Sequence, residues 1–329
     1  MAYDINPDRL GKIVLNNIQI DKRIIDEPIF ALYNMGRRLK NDCHWGEVYV
    51  NDVIGCNYRC AHCWVSTDAL NGNINSDFIM RKLSQFSSKF KGRLIHNADD
   101  VFNYLEHKAK DKKWKVFAFT GGETSFYKGG LKKMAERARE SKSDIAIGID
   151  TNGWIISQQE DYLDVFDGLQ EVMNFYVSIK GITPKSFSRF TEVAPKYYDS
   201  AFIAIEKLLR RGFKTIPGGI VLNTIAYEQN AEEVAEKLYG RLSQIHPKLP
   251  ALVSYHKIST LVHNRQELSR RMKNRGYIHT KPSEFEKVLI DCFNRSGTPI
   301  IESLPENENI PGVISKDKTL QEIITDLRK

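Results

Sequence analysis

The sequence predicts an α/β fold in which helices cover a parallel sheet. Short runs rich in β-branched and aromatic residues predict six strands, at 47–54, 115–120, 145–151, 174–180, 214–223 and 251–258. Helical spacing of apolar residues predicts helices at 76–90, 98–112, 129–142, 160–168, 184–192, 199–212 and 229–244. Strands that alternate with helices form βαβ units. About six such units would place the loop after each strand at the carboxyl rim of a barrel, where α/β folds keep their chemistry.

The two ends of the chain have less regular patterns. Near the N-terminus, 13–15 and 18–20 predict short strands and 29–38 predicts a short helix. Beyond residue 260, segments that resemble capping boxes at 264–267 and 283–286 predict two helices, which end at Gly276 and Gly297. A strand is predicted at 298–303 and a helix at 318–328. We therefore expect an N-terminal extension (1–45), a central α/β unit (46–260) and a helical, basic C-terminal extension (261–329).

Composition predicts a water-soluble chain with a large core. Hydrophobic residues make up 41% of the 329 residues, and the mean hydropathy is -0.41. No apolar run approaches the roughly 18 residues of a membrane span. The first residues lack the charged and apolar regions of a signal peptide. These features predict a cytoplasmic protein that has no membrane partner.

Three of the five cysteines are clustered, and they predict a metal site. Cys56, Cys60 and Cys63 follow the apolar run at 48–54, so they lie on a loop that leaves a predicted strand. Three thiolates are one ligand short of a closed zinc site or an ordinary iron–sulfur cluster. A [4Fe–4S] cluster held by three cysteines would keep one iron open to an outside ligand. Cys292 has the helical spacing of a core residue, whereas Cys43 is an alternative fourth ligand.

Two polar motifs follow later predicted strands. Gly121-Gly122-Glu123 directly follows the strand at 115–120. Two glycines let the backbone approach a ligand closely, and the carboxylate can bind an ammonium group. Asn152-Gly153 follows the strand at 145–151. Taken alone, both segments are also typical of ordinary turns.

In their order along the chain, these motifs resemble the radical SAM superfamily. The spacing C-x3-C-x2-C, with the ring of His62 just before the last cysteine, resembles the superfamily signature, and Gly121–Glu123 resembles its GGE motif. Asp150-Thr151-Asn152-Gly153 resembles the DTNG segment of the glycyl-radical-enzyme activases, the pyruvate formate-lyase activase-like branch. The resemblance covers roughly residues 47–258. It implies a partial (β/α)6 radical SAM barrel with N- and C-terminal extensions.

The resemblance also implies roles for individual residues. Cys56, Cys60 and Cys63 would hold a [4Fe–4S] cluster, and Gly121, Gly122 and Glu123 would hold the amino group of S-adenosylmethionine (SAM). The remaining implied cofactor-binding residues are His62, Asn152, Ser178, Lys180 and His256.

Three positions depart from the family pattern. Thr124 stands where many members carry Pro, Ser178 replaces an Asp, and Glu192 stands where a Gly is expected. A serine can still hydrogen-bond SAM without the charge of the Asp. The departures therefore bear on the activase branch more than on SAM binding.

The implied reaction is reductive cleavage of SAM to a 5′-deoxyadenosyl radical, which abstracts hydrogen from a substrate. This chemistry requires no acid/base dyad, so no catalytic side chain is predicted. An electron donor such as flavodoxin or ferredoxin is an expected partner.

Several substrates and one non-enzymatic interpretation remain open. The ordered motifs favour a glycyl radical enzyme as a protein substrate. Between Lys257 and Lys287, eight Lys and Arg residues stand against three acidic residues, which suits RNA or a nucleotide but also a solvated helix face. A peptide or small metabolite is a third substrate class. The non-enzymatic alternative is a zinc- or Fe–S-binding interaction module that uses the cysteine loop, with Cys43 or His44 as a further ligand.

Overall fold

The structure of the protein is a computed structural model. It describes residues 13–15, 18–20, 24–42, 46–72, 77–86, 90, 92–112, 114–218, 220–221, 230–256, 282–300 and 316–328. The predicted capping box at 264–267, Gly276, Cys43, His44 and most of the basic stretch lie outside these residues.

The described strands are β1 Ile13–Leu15, β2 Ile18–Ile20, β3 Ile29–Asp42, β4 Gly46–Val53, β5 Ile95–Asn97, β6 Trp114–Gly121, β7 Asp144–Thr151, β8 Met173–Ser178, β9 Lys214–Gly218, β10 Ile220–Val221 and β11 Tyr255–His256. Seven of them form a sheet at the centre of the described fold, in the order β5-β3-β4-β6-β7-β8-β9. Strands β4, β6, β7, β8 and β9 are parallel, whereas β3 runs antiparallel to both of its neighbours. Among the described strands the sheet stays open, as in a partial barrel.

Helices connect the parallel strands, as the alternating pattern predicts. They are α1 Thr67–Asn71, α2 Asp77–Ser84, α3 Ala98–Lys108, α4 Lys128–Glu140, α5 Trp154–Gln158, α6 Pro184–Thr191, α7 Ser200–Arg210, α8 Ala231–Ile245, α9 Pro282–Arg295 and α10 Lys316–Leu327. Within the part of the chain that is described, no helix has the length and apolar character needed to cross a bilayer.

Alternation along the strands separates two cores. Tyr49, Phe117 and Ile147 point to one face and pack in the main core with the helices. The intervening residues point to the other face, where their side chains are smaller. This second cluster contains Val48, Val50, Val116, Ala118 and Ala146. The large residues on one face of the sheet therefore pack against the helices, whereas the other face carries small residues.

The prediction of a helix at 29–38 is wrong, because these residues belong to strand β3. Pairing on both sides outweighs the local pattern: β3 pairs with β4 along one edge and with β5 along the other. The pairing with β4 is irregular, and Gly36 adopts a positive φ of 65° within it. Such an interrupted strand lacks the regular alternation that sequence patterns detect.

Other boundaries also differ from the prediction. The helix predicted at 160–168 is absent, and a short 3-10 helix at Asp164–Phe166 takes its place. Among the described residues of the strand predicted at 251–258, only β11 is a strand, because Leu249–Leu252 forms a 3-10 helix. In the strand predicted at 298–303, residues 298–300 are not a strand, and 301–303 lie outside the described residues. Helix α9 begins at Pro282 rather than after Ser283, since proline suits the first helical position. The end at Gly297 and the C-terminal helix are confirmed.

His96 in β5 should make stability depend on pH. The ring packs against Phe86 and Phe90 and is only 4% exposed, and burial lowers its pKa from 6.5 to about 4. The unfolded chain therefore binds a proton at a higher pH than the folded chain does. We expect the free energy of unfolding to fall as the pH drops from 6.5 towards 4, by up to about 3 kcal/mol.

Replacement of this ring tests the assignment. His96→Phe should keep the aromatic packing and remove the ionisable group. Its free energy of unfolding, measured in urea from pH 7 to pH 4, should decline less than that of the wild type. Parallel pH profiles for the two proteins would contradict the prediction.

Candidate functional site

Three motifs meet at the carboxyl edge of the sheet. The cysteine loop follows β4, Gly121–Glu123 ends β6, and Thr151-Asn152 ends β7. These three strands are neighbours and parallel, so their ends are adjacent. The topology thus brings together three motifs that are about 30 residues apart or more in the sequence.

Backbone hydrogen bonds hold the start of the cysteine loop. Gly55 has a positive φ of 86°, and its N–H donates to the carbonyl of Ala69 at 2.9 Å. The N–H of Cys56 donates to the carbonyl of Leu70 at 3.1 Å. The loop therefore folds back onto the end of α1.

The second half of the loop is fixed by α6. The N–H groups of Arg59 and Ala61 donate to the carbonyls of Thr191 and Phe190, both at 2.9 Å. The ring of His62 stacks on Phe190 with a centroid distance of 4.5 Å and an interplanar angle of 6°. The ring of His62, which the motif predicts at this position, is thus held on one side by the face of Phe190.

The three thiols lie partly shielded on this loop. Cys60 is 8% exposed, and Cys56 and Cys63 are half-buried. Burial, and next the charge of Glu123, raise the pKa of the Cys56 thiol. Both effects disfavour uncompensated negative charge, so the loop is suited to thiolates that are neutralised by metal.

The described side chains contain no group of three His, Cys, Asp or Glu residues that converges on one ion. A cubane cluster does not require such convergence, because each thiolate binds a different iron and the three ligands stand around the cluster. The placement of the cysteines on one anchored loop fits a cluster of this kind.

Glu123 is the most highly connected polar group of the site. It is 1% exposed. Its Oε1 accepts from the N–H and hydroxyl of Ser125 at 3.2 and 2.6 Å, and from the hydroxyl of Thr151. Its Oε2 accepts from the N–H of Asn152 at 2.8 Å. Burial raises the pKa of Glu123, and these hydrogen bonds oppose the rise. Oε2 accepts fewer bonds than Oε1, which leaves it capacity for a cationic donor.

Steric constraints explain why glycine occupies the two positions before Glu123. The N–H of Gly122 donates to the carbonyl of Val53 at 2.9 Å, and that of Glu123 donates to the carbonyl of Gly55 at 2.7 Å. A Cβ on Gly122 would lie 2.1 Å from the carbonyl oxygen of Gly55. Gly121 has a φ of 90°, which disfavours any side chain. The motif is thus pressed against the start of the cysteine loop.

Asn152 joins all three motifs. Besides its bond to Glu123, its Nδ2 donates to Oδ1 of Asn57 at 2.7 Å, and its Oδ1 accepts from the N–H of Trp154 at 3.0 Å. Sequence patterns did not single out Asn57 or Thr151 as site residues. Only the convergence of separate strand ends reveals their contacts.

Two other predicted residues lie at the end of β8, the next strand of the sheet, or just after it. Ser178 ends β8 opposite Gly218, and Lys180 precedes Gly181, whose φ is 92°. Within the described part of the chain, no hydrogen bond connects either one to Glu123. His256 lies in β11, which pairs with β10, and its side chain is outside the described residues.

Glu192, where the family pattern expects glycine, ends α6 with a φ of 61°. This is the left-handed conformation that glycine adopts without strain. Glu192 therefore has a backbone conformation that favours glycine, at the position where the resemblance predicted a glycine.

Comparison with known families agrees with this geometry. The Radical SAM superfamily model matches residues 50–238, which is more than half of the chain. The protein belongs to the radical SAM superfamily. Members of that superfamily are enzymes that use a [4Fe–4S] cluster and SAM, as predicted. A search of curated proteins found no significant match.

The site residues fit these cofactors. Three thiols on one anchored loop suit a cluster with an open iron, and the buried carboxylate of Glu123 suits the ammonium group of SAM.

Glu123→Gln should weaken SAM binding without removing the cluster. The substitution keeps the shape of the side chain but loses the charge that would pair with an ammonium group. A charge-assisted hydrogen bond contributes about 1.5–3 kcal/mol, so we expect the Kd for SAM to rise about 10- to 100-fold. The measurement is calorimetric titration of cluster-loaded protein with SAM. Glu136→Gln, on the outer helix α4, serves as the matched control. Equal affinity in all three proteins would contradict the assignment.

Proposed function

We propose that this protein is a radical SAM enzyme that activates a glycyl radical enzyme. The observation that carries the proposal is the bond between Asn152 N–H and Glu123 Oε2 at 2.8 Å. It joins the segment that resembles the activase DTNG motif to the segment that resembles GGE. The motifs whose order suggested this branch are thus parts of one hydrogen-bonded site.

The residues have distinct roles in this proposal. Cys56, Cys60 and Cys63 hold the cluster, Glu123 holds the amino group of SAM, and the glycine before it permits close packing. When bound, the cluster and SAM would supply reductive cleavage of the SAM C–S bond to methionine and a 5′-deoxyadenosyl radical, for the removal of hydrogen from the substrate. A flavodoxin or ferredoxin provides the electron. Among the described strands the sheet is open, and an open side suits entry of a loop from a protein substrate.

The test uses the full chain with its cluster reconstituted under anaerobic conditions. It is mixed with SAM, a reductant and pyruvate formate-lyase as the glycyl radical enzyme. We expect a glycine-centred radical in the electron paramagnetic resonance (EPR) spectrum, together with stoichiometric 5′-deoxyadenosine. Parallel samples contain total RNA or a peptide mixture instead. Formation of 5′-deoxyadenosine that is stimulated by RNA or peptide, and not by pyruvate formate-lyase, would contradict the proposal.

A further inference from the structure

Asn57 places inside the site a hydrogen-bond donor that has no acceptor among the described residues. It lies between Cys56 and Tyr58 on the cysteine loop and is 2% exposed. Its Oδ1 accepts from Nδ2 of Asn152 at 2.7 Å. Its Nδ2 is buried and has no hydrogen-bond partner among the residues that the structure describes. A buried amide nitrogen without an acceptor is costly, so a native site normally provides one.

The orientation of this amide follows from the backbone. The N–H of Trp154 can only donate, so the atom of Asn152 that it contacts at 3.0 Å must be the oxygen. The other end of Asn152 is therefore its NH2 group, and it must donate to the oxygen of Asn57. Rotation of either amide would bring two donors together. The NH2 group of Asn57 is thus left to donate elsewhere.

The surroundings indicate what could accept this bond. Asn57 is next to Cys56 in the chain, and through Asn152 it is one residue removed from the Glu123 carboxylate. The carboxylate can accept a hydrogen bond from a cationic group, whereas an NH2 group can donate one to an anionic acceptor. The cofactors of the superfamily contain such acceptors, namely the sulfur atoms of the cluster and the carboxylate of SAM.

We propose that Asn57 is a cofactor-binding residue, whose Nδ2 donates a hydrogen bond to an anionic acceptor of the bound cofactors. This inference rests on the superfamily cofactors at the cysteine loop and not on the glycyl radical substrate. If the acceptor is sulfur, the bond stabilises the reduced cluster and raises its reduction potential. If the acceptor is the SAM carboxylate, the bond raises SAM affinity and leaves the potential of the SAM-free cluster unchanged.

Asn57→Asp tests the donor with little change in shape, since the oxygen that accepts from Asn152 remains. Asn57→Ala removes the whole amide and adds no charge. Asn103→Asp, the same change on the surface of α3 where Asn103 contacts Arg137, is the matched control. Each protein is examined for iron content, for the midpoint potential of the cluster without SAM, and for the Kd of SAM. The EPR signal of the reduced cluster is recorded before and after addition of SAM.

Both Asn57 variants should differ from the control in the same property. A potential that is lower without SAM identifies sulfur as the acceptor. An unchanged potential with a Kd raised at least about tenfold identifies the SAM carboxylate. Unchanged potential, Kd and EPR response in iron-loaded variants would overturn the proposal.

Failure to load iron is also decisive. If neither variant loads iron, the melting temperature of the metal-free proteins separates the causes. An unchanged melting temperature supports a donor that acts on the cluster, and a lowered one shows a merely structural role and overturns the proposal. A wild-type protein whose reduced cluster does not respond to SAM would instead count against SAM binding at this site. The inference can therefore fail separately from the proposed glycyl radical activation.

Discussion

Cys60→Ala should contain no intact [4Fe–4S] cluster and should form no 5′-deoxyadenosine above background. Cys60 lies in the middle of the loop, between Cys56 and Cys63, and it is the least exposed of the three residues. Two remaining thiolates cannot complete the ligand set of a cluster that already has an open iron. The measurements are iron and sulfide content after anaerobic reconstitution, the visible absorbance of the cluster, and product formation with SAM and dithionite.

Cys292→Ala is the matched control for this experiment. Cys292 is also buried, at 2% exposed, but it lies in α9 within the hydrophobic core. Its loss should lower stability by about 1 kcal/mol and leave the cluster intact. A Cys60→Ala protein that retains iron and cleaves SAM would contradict the assignment of the loop. Stoichiometric zinc without iron in the anaerobically purified wild type would favour the structural metal module instead.

The cysteine loop and its neighbours could be predicted because their information is local. Spacing defines the thiolate set, and a strand pattern before each motif defines the edge of the sheet where it lies. The match to the superfamily over residues 50–238 covers all three motifs. Parallel strand order then brings the motifs together without further information.

The features that sequence patterns did not predict depend on tertiary contacts. The sequence pattern within strand β3 predicts a helix, and only the pairing with β4 and β5 shows that the segment is a strand. The role of Asn57 depends on Asn152, which is distant in sequence but lies 2.7 Å away in space. A single asparagine beside a cysteine has no periodicity or spacing that would mark it. Contacts between strand ends, rather than residue types, identify it.

The approach of Gly122 to the cysteine loop explains how the two motifs act as one unit. The N–H of Glu123 donates to the carbonyl of Gly55, and the same carbonyl oxygen would lie 2.1 Å from a Cβ at position 122. The oxygen cannot retreat without breaking this bond and shifting Cys56, which follows it in the chain. A methyl group here therefore separates the carboxylate of Glu123 from the thiols.

Gly122→Ala should consequently destabilise the protein by about 3 kcal/mol, the upper range for overpacking a core. It should also reduce cluster loading and SAM affinity together. Conformational freedom is not the cause, because Gly121 and not Gly122 has the positive φ. The measurements are urea unfolding of the metal-free protein and iron content after reconstitution.

Gly240→Ala provides the matched control for the added methyl group. Gly240 lies within α8, and a Cβ there would have no neighbour within 4 Å. Alanine in a helix interior should raise stability by up to about 1 kcal/mol and leave cluster loading unchanged. If alanine lowers the free energy of unfolding at position 122 and raises it at position 240, the steric constraint lies at the contact between the GGE segment and the cysteine loop. Equal effects of the two substitutions would show instead that the loop can move away from Gly122 at little cost.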